Sequence, residues 1–469
     1  MPLVLANEDL LGLRFFTWDE VLSPYVFAFY AAYIVTFLFT PAMRHIARYY
    51  GIIDQPDGLR KMHTRPVAYL GGAAVFLGWL AGLAVSQFLV VHRVEPGMPT
   101  NVIINFSIVV AACAIVLLGL WDDVRRVSPW VKIIVQVAAA LLLVSFKVGH
   151  RSAWIFIHPI ATRLANYGLL GSITAADVPA FYLSEFVVVL STIFVVGLVV
   201  LCCNATNLMD GLDGLCGGVT AIIAAGFLFL AVNLAMSSGA MNTNQDALVI
   251  VLSLALLGAV LAFVPYNFNP ASIFMGDTGS MLLGFSCATM MILFASYGHF
   301  RWFLAAMVMF ALPILDTTLA LVRRWVNGRA IFSADRHHFH HQLVARGFTV
   351  KQTVVISYVL SLIFCLLGVG IVFIRARYAV GIYLVVFGSI VVAAYKMGMV
   401  HERVKKVARQ PLASGGPTAL TASPVEPTGV LDVRDDGPPD ASGGMTTSAH
   451  PWVDKPAAAE TASQPVDVG

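Results

Sequence analysis

An all-α, polytopic membrane protein is the fold class this sequence predicts, and three observations predict it. Of 469 residues, 58% are hydrophobic and 12% charged, against about 25% charged in soluble domains, and the mean hydropathy is +0.81. Apolar stretches of roughly the 20 residues that a bilayer core requires recur along the chain. Polar clusters interrupt them, and those richest in carboxylates, amides and histidines all fall at stretch ends of one parity.

In order, the stretches run from Tyr25 to Met43, Ala68 to Val91, Val102 to Leu120, Trp130 to Phe146, Ala180 to Cys203, Leu215 to Met236, Ala247 to Tyr266, Gly279 to Ser296, Trp302 to Val326, Gln352 to Ile374 and Tyr378 to Val400. That gives about eleven spans, helical because lipid offers backbone groups no other partner. Glu8, Asp9, Asp19 and Glu20 precede the first stretch, which therefore reads as a span and not as a cleavable signal peptide.

Basic residues orient the bundle. Arg44, Arg48, Arg60, Lys61 and Arg65 follow the first stretch, Arg125 and Arg126 the third, Arg323, Arg324, Arg329, Arg336 and Arg346 the ninth, and Arg403, Lys405, Lys406 and Arg409 the last. The opposite connections are poorer, so the N-terminus is expected outside and the polar clusters and C-terminus inside, at the cytoplasmic face of the cell membrane.

One outward connection is sizeable, Lys147 to Glu185, and its Trp154-Ile-Phe-Ile-His-Pro run reads as a short strand or an interfacial segment. A membrane domain over 1–409 is then followed by 410–469, rich in Pro, Ala, Gly, Ser, Thr and Asp, which reads as a disordered cytoplasmic tail. The formal charge of +3 gives no basis for nucleic-acid binding. Six cysteines lie in or beside apolar stretches without metal-ligand spacing, and they read as small hydrophobes.

Four clusters carry the chemistry. Asp122 and Asp123 follow the third stretch; alone, an acidic pair is more often a solvated helix end. Asn204, Asn207, Asp210 and Asp213 recur every three residues, near the helical period, so their oxygens can share one face or one tight connection. An Asx-rich turn explains one such residue but not four, and hard oxygen donors suit magnesium, which keeps water and substrate phosphate in its shell. Asn267 and Asn269 lie among Pro265 and Pro270, and Asp277 opens the next stretch, as a helix cap or a cation ligand. His337, His338, His340 and His341 with Arg323, Arg324, Arg329 and Arg336 form a donor-rich segment suited to phosphate oxygens. Zinc is disfavoured there because neither HExxH nor a nearby cysteine is present.

The strings Asn204 to Gly214, Asn267 to Ser280 and Asp335 to Leu343 resemble the signature motifs of the polyprenyl-phosphate N-acetylhexosamine-1-phosphate transferases. The likeness extends from Arg60-Lys61-Met-His63 through Gly71-Gly72, Gly119-Leu-Trp-Asp122-Asp123 and Lys132-Ile-Ile-Val-Gln136 to the histidines, and so covers most of the membrane part. The spaced His338-Phe-His340-His341 is more similar to the N-acetylglucosamine branch than to the muramoyl-pentapeptide branch. One departure is Ala68-Tyr69 before Leu-Gly-Gly, where the family often has Pro-Arg.

The resemblance implies magnesium-dependent transfer (manganese is also possible) of a sugar 1-phosphate from a UDP-sugar to undecaprenyl phosphate, releasing UMP, as the first membrane step of a cell-envelope polysaccharide. It assigns metal ligation to Asn207 and Asp277 and catalysis at the acceptor phosphate to Asp122 and Asp123. Nucleotide-sugar and phosphate binding fall to Lys61, Lys132, Asn204, Asp210, Asp213, Asn267, His338, His340, His341 and Arg324, with Asp316 a further family-like position near Arg323 and Arg324. The partners implied are the UDP-sugar, the polyprenyl phosphate and the lipid bilayer, with a homodimer left open. The alternatives are the muramoyl-pentapeptide reaction of peptidoglycan synthesis and, in a different class, an ion-coupled transporter. The latter usually binds near the midplane in interrupted repeats, and no internal repeat is visible here.

Overall fold

The computed structural model describes residues 17–55, 66–89, 103–168, 185–237, 244–296, 300–328, 338–374 and 376–396. Lys61, Arg329, Asp335, Arg336, His337 and the 410–469 tail lie outside the described residues. The elements are α1 (Trp18–Leu22), α2 (Val26–Tyr49), β1 (Ile53–Asp54), β2 (Val67–Ala68), α3 (Gly71–Leu89), α4 (Phe106–Val124), α5 (Pro129–Ser145), α6 (Trp154–Asn166), α7 (Glu185–Met209), α8 (Leu215–Ser237), α9 (Asn244–Asn267), α10 (Gly276–Ser296), α11 (Phe300–Met309), α12 (Ala311–Val326), α13 (Phe339–Ala345), α14 (Val350–Val372) and α15 (Ala376–Lys396).

Among the described residues, eight helical segments are long and apolar enough to cross a membrane, or nine if α11 and α12 form one span bent by 70°. Pro313 accounts for the bend: it has no N–H to give the Met309 carbonyl four residues back, and its ring crowds that carbonyl. The fourth and last expected stretches correspond to shorter apolar helices, Pro129–Ser145 and Val380–Val392. The Trp154 run is helical, not a strand: it opens α6, whose Ile155 side chain is buried.

α10 is the axis of the bundle and touches α3, α4, α7, α9 and α11. From Gly276 to Ala295 every residue except Asp277 is buried. Such enclosure needs backbones to approach closely, which small residues allow where lipid gives no hydrophobic drive between helices. A Cβ on Gly72 would overlap the Gly279 backbone, and one on Gly119 would overlap Thr278. α3 and α4 therefore meet the first turn of α10 backbone to backbone. Outward faces keep large apolar side chains such as Phe27, Leu38, Leu117, Ile193 and Leu366 exposed, as lipid-facing helices do.

A small hairpin departs from the all-helical expectation. β1 pairs antiparallel with β2, Ile53 opposite Ala68, and Ala68 also bridges in parallel to Ile273. Phe274 N–H donates to the Ala68 carbonyl at 2.8 Å, while Gly71 and Gly72 N–H donate to the carbonyls of Phe274 and Met275 at 3.0 and 2.9 Å. Three short pieces of backbone thus fasten the entry of α3 to the entry of α10.

Candidate active site

The acidic pair divides its work between two helices. Asp122 and Asp123 end α4, and Arg125 beyond them turns extended, which stops the helix. Asp123 reaches the start of α10: Oδ1 accepts from Asp277 N–H at 2.8 Å, and Oδ2 accepts from Thr278 N–H at 3.1 Å and Thr278 Oγ1 at 2.6 Å. It is a helix cap supplied from another helix, satisfying donors that the first turn of α10 cannot pair and placing a negative charge at its positive end. Asp122 turns to α5 and, through Lys132, to the Asp277 side chain. Its Oδ1 accepts from Val127 N–H at 2.7 Å and its Oδ2 from Lys132 Nζ at 2.8 Å.

Lys132 is in place because Ser128 caps α5 and Pro129 opens it, which sets the lysine in the first turn. Its ammonium bridges Asp122 and Asp277, 2.8 and 2.5 Å away. Asn207, two residues before the end of α7, donates from Nδ2 to Asp277 Oδ1 at 2.8 Å and to Ser280 Oγ at 3.1 Å. One helical turn deeper, Asn204 donates to Gln136 Oε1 at 2.8 Å and Gln136 donates to the Met281 sulfur at 3.6 Å. Lys132 to Gln136 and Asp277 to Met281 are each four residues, so an amide layer lies under the charged layer.

The α7–α8 connection supplies the next wall. Asp213 Oδ2 accepts from Asn269 Nδ2 at 2.9 Å and Ala271 N–H at 3.0 Å. Asn267 accepts from Gly214 N–H at 3.0 Å and donates to the Ile273 carbonyl at 3.0 Å. These two stitch the α7–α8 and α9–α10 connections together. Between them opens a cavity of about 270 Å³ whose lining includes Asp210, Asp213, Asp277, His341, Asp54 and Tyr69. Asp54 and Tyr69 were not foreseen. The Tyr69 hydroxyl hydrogen-bonds Asp54, and burial, then that carboxylate, raises the phenol well above its usual range.

The histidines separate into two groups. His341 lines the cavity, whereas His338 and His340 are buried against Asp316 on α12. Asp316 Oδ2 lies 3.2 Å from His338 Nδ1 and 3.8 Å from His340 Nδ1, and Oδ1 accepts from Phe339 N–H at 2.7 Å. The His340 ring abuts Gly211, where a Cβ would overlap Nε2. Burial first, with the charges of His341 and His338 adding to it, lowers His340 to about 3 despite Asp316, so it is neutral at physiological pH. Arg324, also buried on α12, is not among the described residues lining the cavity.

The site is rich in negative charge. Burial, then the charges of Asp277, Asp123 and Asp213, raise Asp210 to about 8; a divalent cation would relieve that repulsion. Among the described residues no three His, Cys, Asp or Glu side chains converge into a ready-made cage. Magnesium does not need one, since it binds through one or two carboxylates and retains water and substrate phosphates. The oxygen donors of Asp277, Asp210 and Asn207 fit that habit.

Fold and site together define a polytopic membrane protein whose helix ends gather a lysine-bridged carboxylate pocket suited to a phosphorylated ligand. The profile of glycosyl transferase family 4 matches residues 105–295, a range that holds Asp122, Asp123, Lys132, Asn207, Asp210, Asp213 and Asp277. A probable undecaprenyl-phosphate N-acetylglucosaminyl 1-phosphate transferase of Bacillus subtilis is 30% identical, over 82% of this chain and 96% of that protein. A decaprenyl-phosphate N-acetylglucosaminephosphotransferase of Mycobacterium tuberculosis is 32% identical, over 77% and 85%. An undecaprenyl-phosphate alpha-N-acetylglucosaminyl 1-phosphate transferase of Escherichia coli is 25% identical, over 72% and 81%. The chain belongs to glycosyl transferase family 4.

Proposed function

We propose that this protein transfers N-acetylglucosamine 1-phosphate from UDP-N-acetylglucosamine to a polyprenyl phosphate such as undecaprenyl phosphate, releasing UMP. The observation that carries the reading is the junction of Asp122, Lys132, Asn207 and Asp277, from four different helices, at the edge of one cavity. The names of the relatives supply the sugar and the lipid class. The basic sorting of the sequence supports an N-terminus outside, about eleven spans and a site at the cytoplasmic face.

In the transfer, an oxygen of the acceptor phosphate attacks the sugar-bearing phosphorus and the bond to UMP breaks. Both reactants are anions, so the main task is to bring them together and balance charge. Asp277, Asn207 and Asp210 would hold magnesium, whose Lewis acidity, when it is bound, neutralises diphosphate oxygens. Lys132 keeps Asp122 and Asp277 adjacent and supplies positive charge where the acceptor phosphate enters. Asp122 orients Lys132 and the acceptor. Asp123 acts through α10, setting the position of Asp277. His341 reaches the nucleotide sugar, while His338 and His340 are positioning residues anchored on Asp316.

A panel of UDP-sugars, with undecaprenyl phosphate and magnesium, tests this by mass spectrometry of the lipid product. The expected product is the lipid diphosphate carrying N-acetylglucosamine. Turnover of another UDP-sugar alone overturns the choice of sugar, and no lipid-linked product from any of them overturns the function.

A further inference from the structure

A second cavity, of about 580 Å³, opens at the other end of the bundle, and its walls include Phe106, Phe146, Lys147, His150, Arg151 and Ser296. It sits at the start of α4 and the end of α10, the ends remote from Asp123 and Asp277. The 19 residues of α4 make that separation roughly 28 Å, close to the thickness of a hydrocarbon core. The transfer chemistry cannot use it directly.

Three cationic or titratable side chains share this cavity, and no Asp or Glu is among its described lining residues. Their backbone is firmly held. Lys147 takes a left-handed conformation with φ +66°, Val148 N–H closes the end of α5 on the Leu143 carbonyl at 2.9 Å, and His150 Nδ1 lies 2.9 Å from the Lys147 carbonyl. Ala153 N–H donates to Ser191 Oγ at 3.0 Å, tying the turn to α7. A lysine just past a helix C-terminus is favoured by the helix dipole, which accounts for Lys147 but not for a cavity with Arg151 and His150 in its wall.

Charge sorting makes the cluster more pointed. Outward connections of membrane proteins are poor in Lys and Arg, and Lys147 and Arg151 are two of the few basic residues that the sequence places there. Both line the same cavity. Beside them, Ile103, Phe106 and Phe146 stand 67%, 71% and 53% exposed. Cations at the depth of the headgroups above exposed apolar side chains match an anionic lipid part by part.

We propose that this cavity binds the phosphate of an anionic glycerophospholipid of the opposite leaflet, with Lys147, His150 and Arg151 around the phosphate and the acyl chains along Ile103, Phe106 and Phe146. The lipid ties together the ends of α4, α5 and α10, the three helices whose other ends carry Asp123, Lys132 and Asp277. The proposal does not depend on which sugar is transferred.

Native mass spectrometry of the delipidated full chain, incubated with phosphatidylglycerol or phosphatidylcholine, tests it. One phosphatidylglycerol should stay bound under activation that strips phosphatidylcholine, and Lys147→Gln with Arg151→Gln should lower its occupancy at least tenfold. Ser296→Phe pushes a ring into the cavity wall with the charges intact and should also lower the occupancy, which keeps the test valid if the charge variant does not fold. Equal retention of the two lipids, or unchanged retention in a folded variant, overturns the proposal. So does full displacement by millimolar inorganic phosphate, which would mark a site for the free anion.

Discussion

Replacing Asp123 with alanine should destabilise the fold as well as remove activity, so its effect is read first as stability. The change removes the acceptor of Asp277 N–H, Thr278 N–H and Thr278 Oγ1 at the joint between α4 and α10. Each backbone donor left without a partner in such a place costs about 1–3 kcal/mol, and losing a carboxylate from a helix N-terminus adds about 0.3–1 kcal/mol. The expected destabilisation is roughly 3–5 kcal/mol, a large share of a total of about 5–15 kcal/mol. Asparagine keeps one acceptor oxygen and should lose about half as much. Asp122→Asn leaves the α10 cap intact, so it should abolish UMP release while shifting unfolding little. Denaturant unfolding in detergent, read beside UMP release, separates the three. An Asp123→Ala protein that unfolds with the wild-type midpoint would refute the assignment of Asp123 as the cap that positions Asp277.

Asp210 titrates near 8 in the cation-free site, above its unfolded value. The folded state therefore holds the extra proton between about pH 4 and 8, and stability without a cation falls as pH rises through that window. Divalent cation displaces the proton, so thermal stabilisation by magnesium, measured without substrates, should strengthen from pH 6 to 8 and level off above; a flat profile counts against the site. Asp316→Asn weakens the anchor of His338 and His340 and should raise the KM for the UDP-sugar about tenfold, the equivalent of 1.4 kcal/mol, with the acceptor KM unchanged. Equal effects on both substrates would contradict the anchoring role. Gly72→Ala drives a Cβ into the Gly279 backbone, an overpacking that should cost about 1–3 kcal/mol, whereas Gly370→Ala, with nothing within 4 Å, should be close to silent in the same unfolding assay.

Much of the site is visible in the sequence because its residues cluster locally. The three-residue recurrence from Asn204 to Asp213 and the placement of Asp277 at a helix start are short-range patterns, and helical geometry translates them directly into faces and turns. The pairings are not local. Lys132 and Asp277 are 145 residues apart, and nothing in either segment says that one ammonium bridges Asp277 and Asp122. Asp122 and Asp123 are neighbours with opposite duties, a division made only by where α5 and α10 stand around the end of α4.

The same holds at the cavity rim. Gln136 lies four residues after Lys132, so its place under the lysine was open to a helical reading once the site was known. Asp54 ends one strand of two residues and Tyr69 directly follows the other, strands too short for any alternation to register. The histidines divide by burial, His341 toward the cavity and His338 and His340 toward Asp316, because α13 packs on α14 with its start held by Asp316 of α12, a placement that only tertiary packing decides.

The most direct test of the central account is the divalent-cation dependence of lipid-linked product and UMP, formed from UDP-N-acetylglucosamine and undecaprenyl phosphate by the purified chain and by its Asp277→Asn variant. The wild type should form both products in equal amounts with magnesium and neither with chelator, and the variant should stay folded and form neither. Product that persists in chelator, or in Asp277→Asn, would show that the carboxylate pocket is not where the transfer takes place.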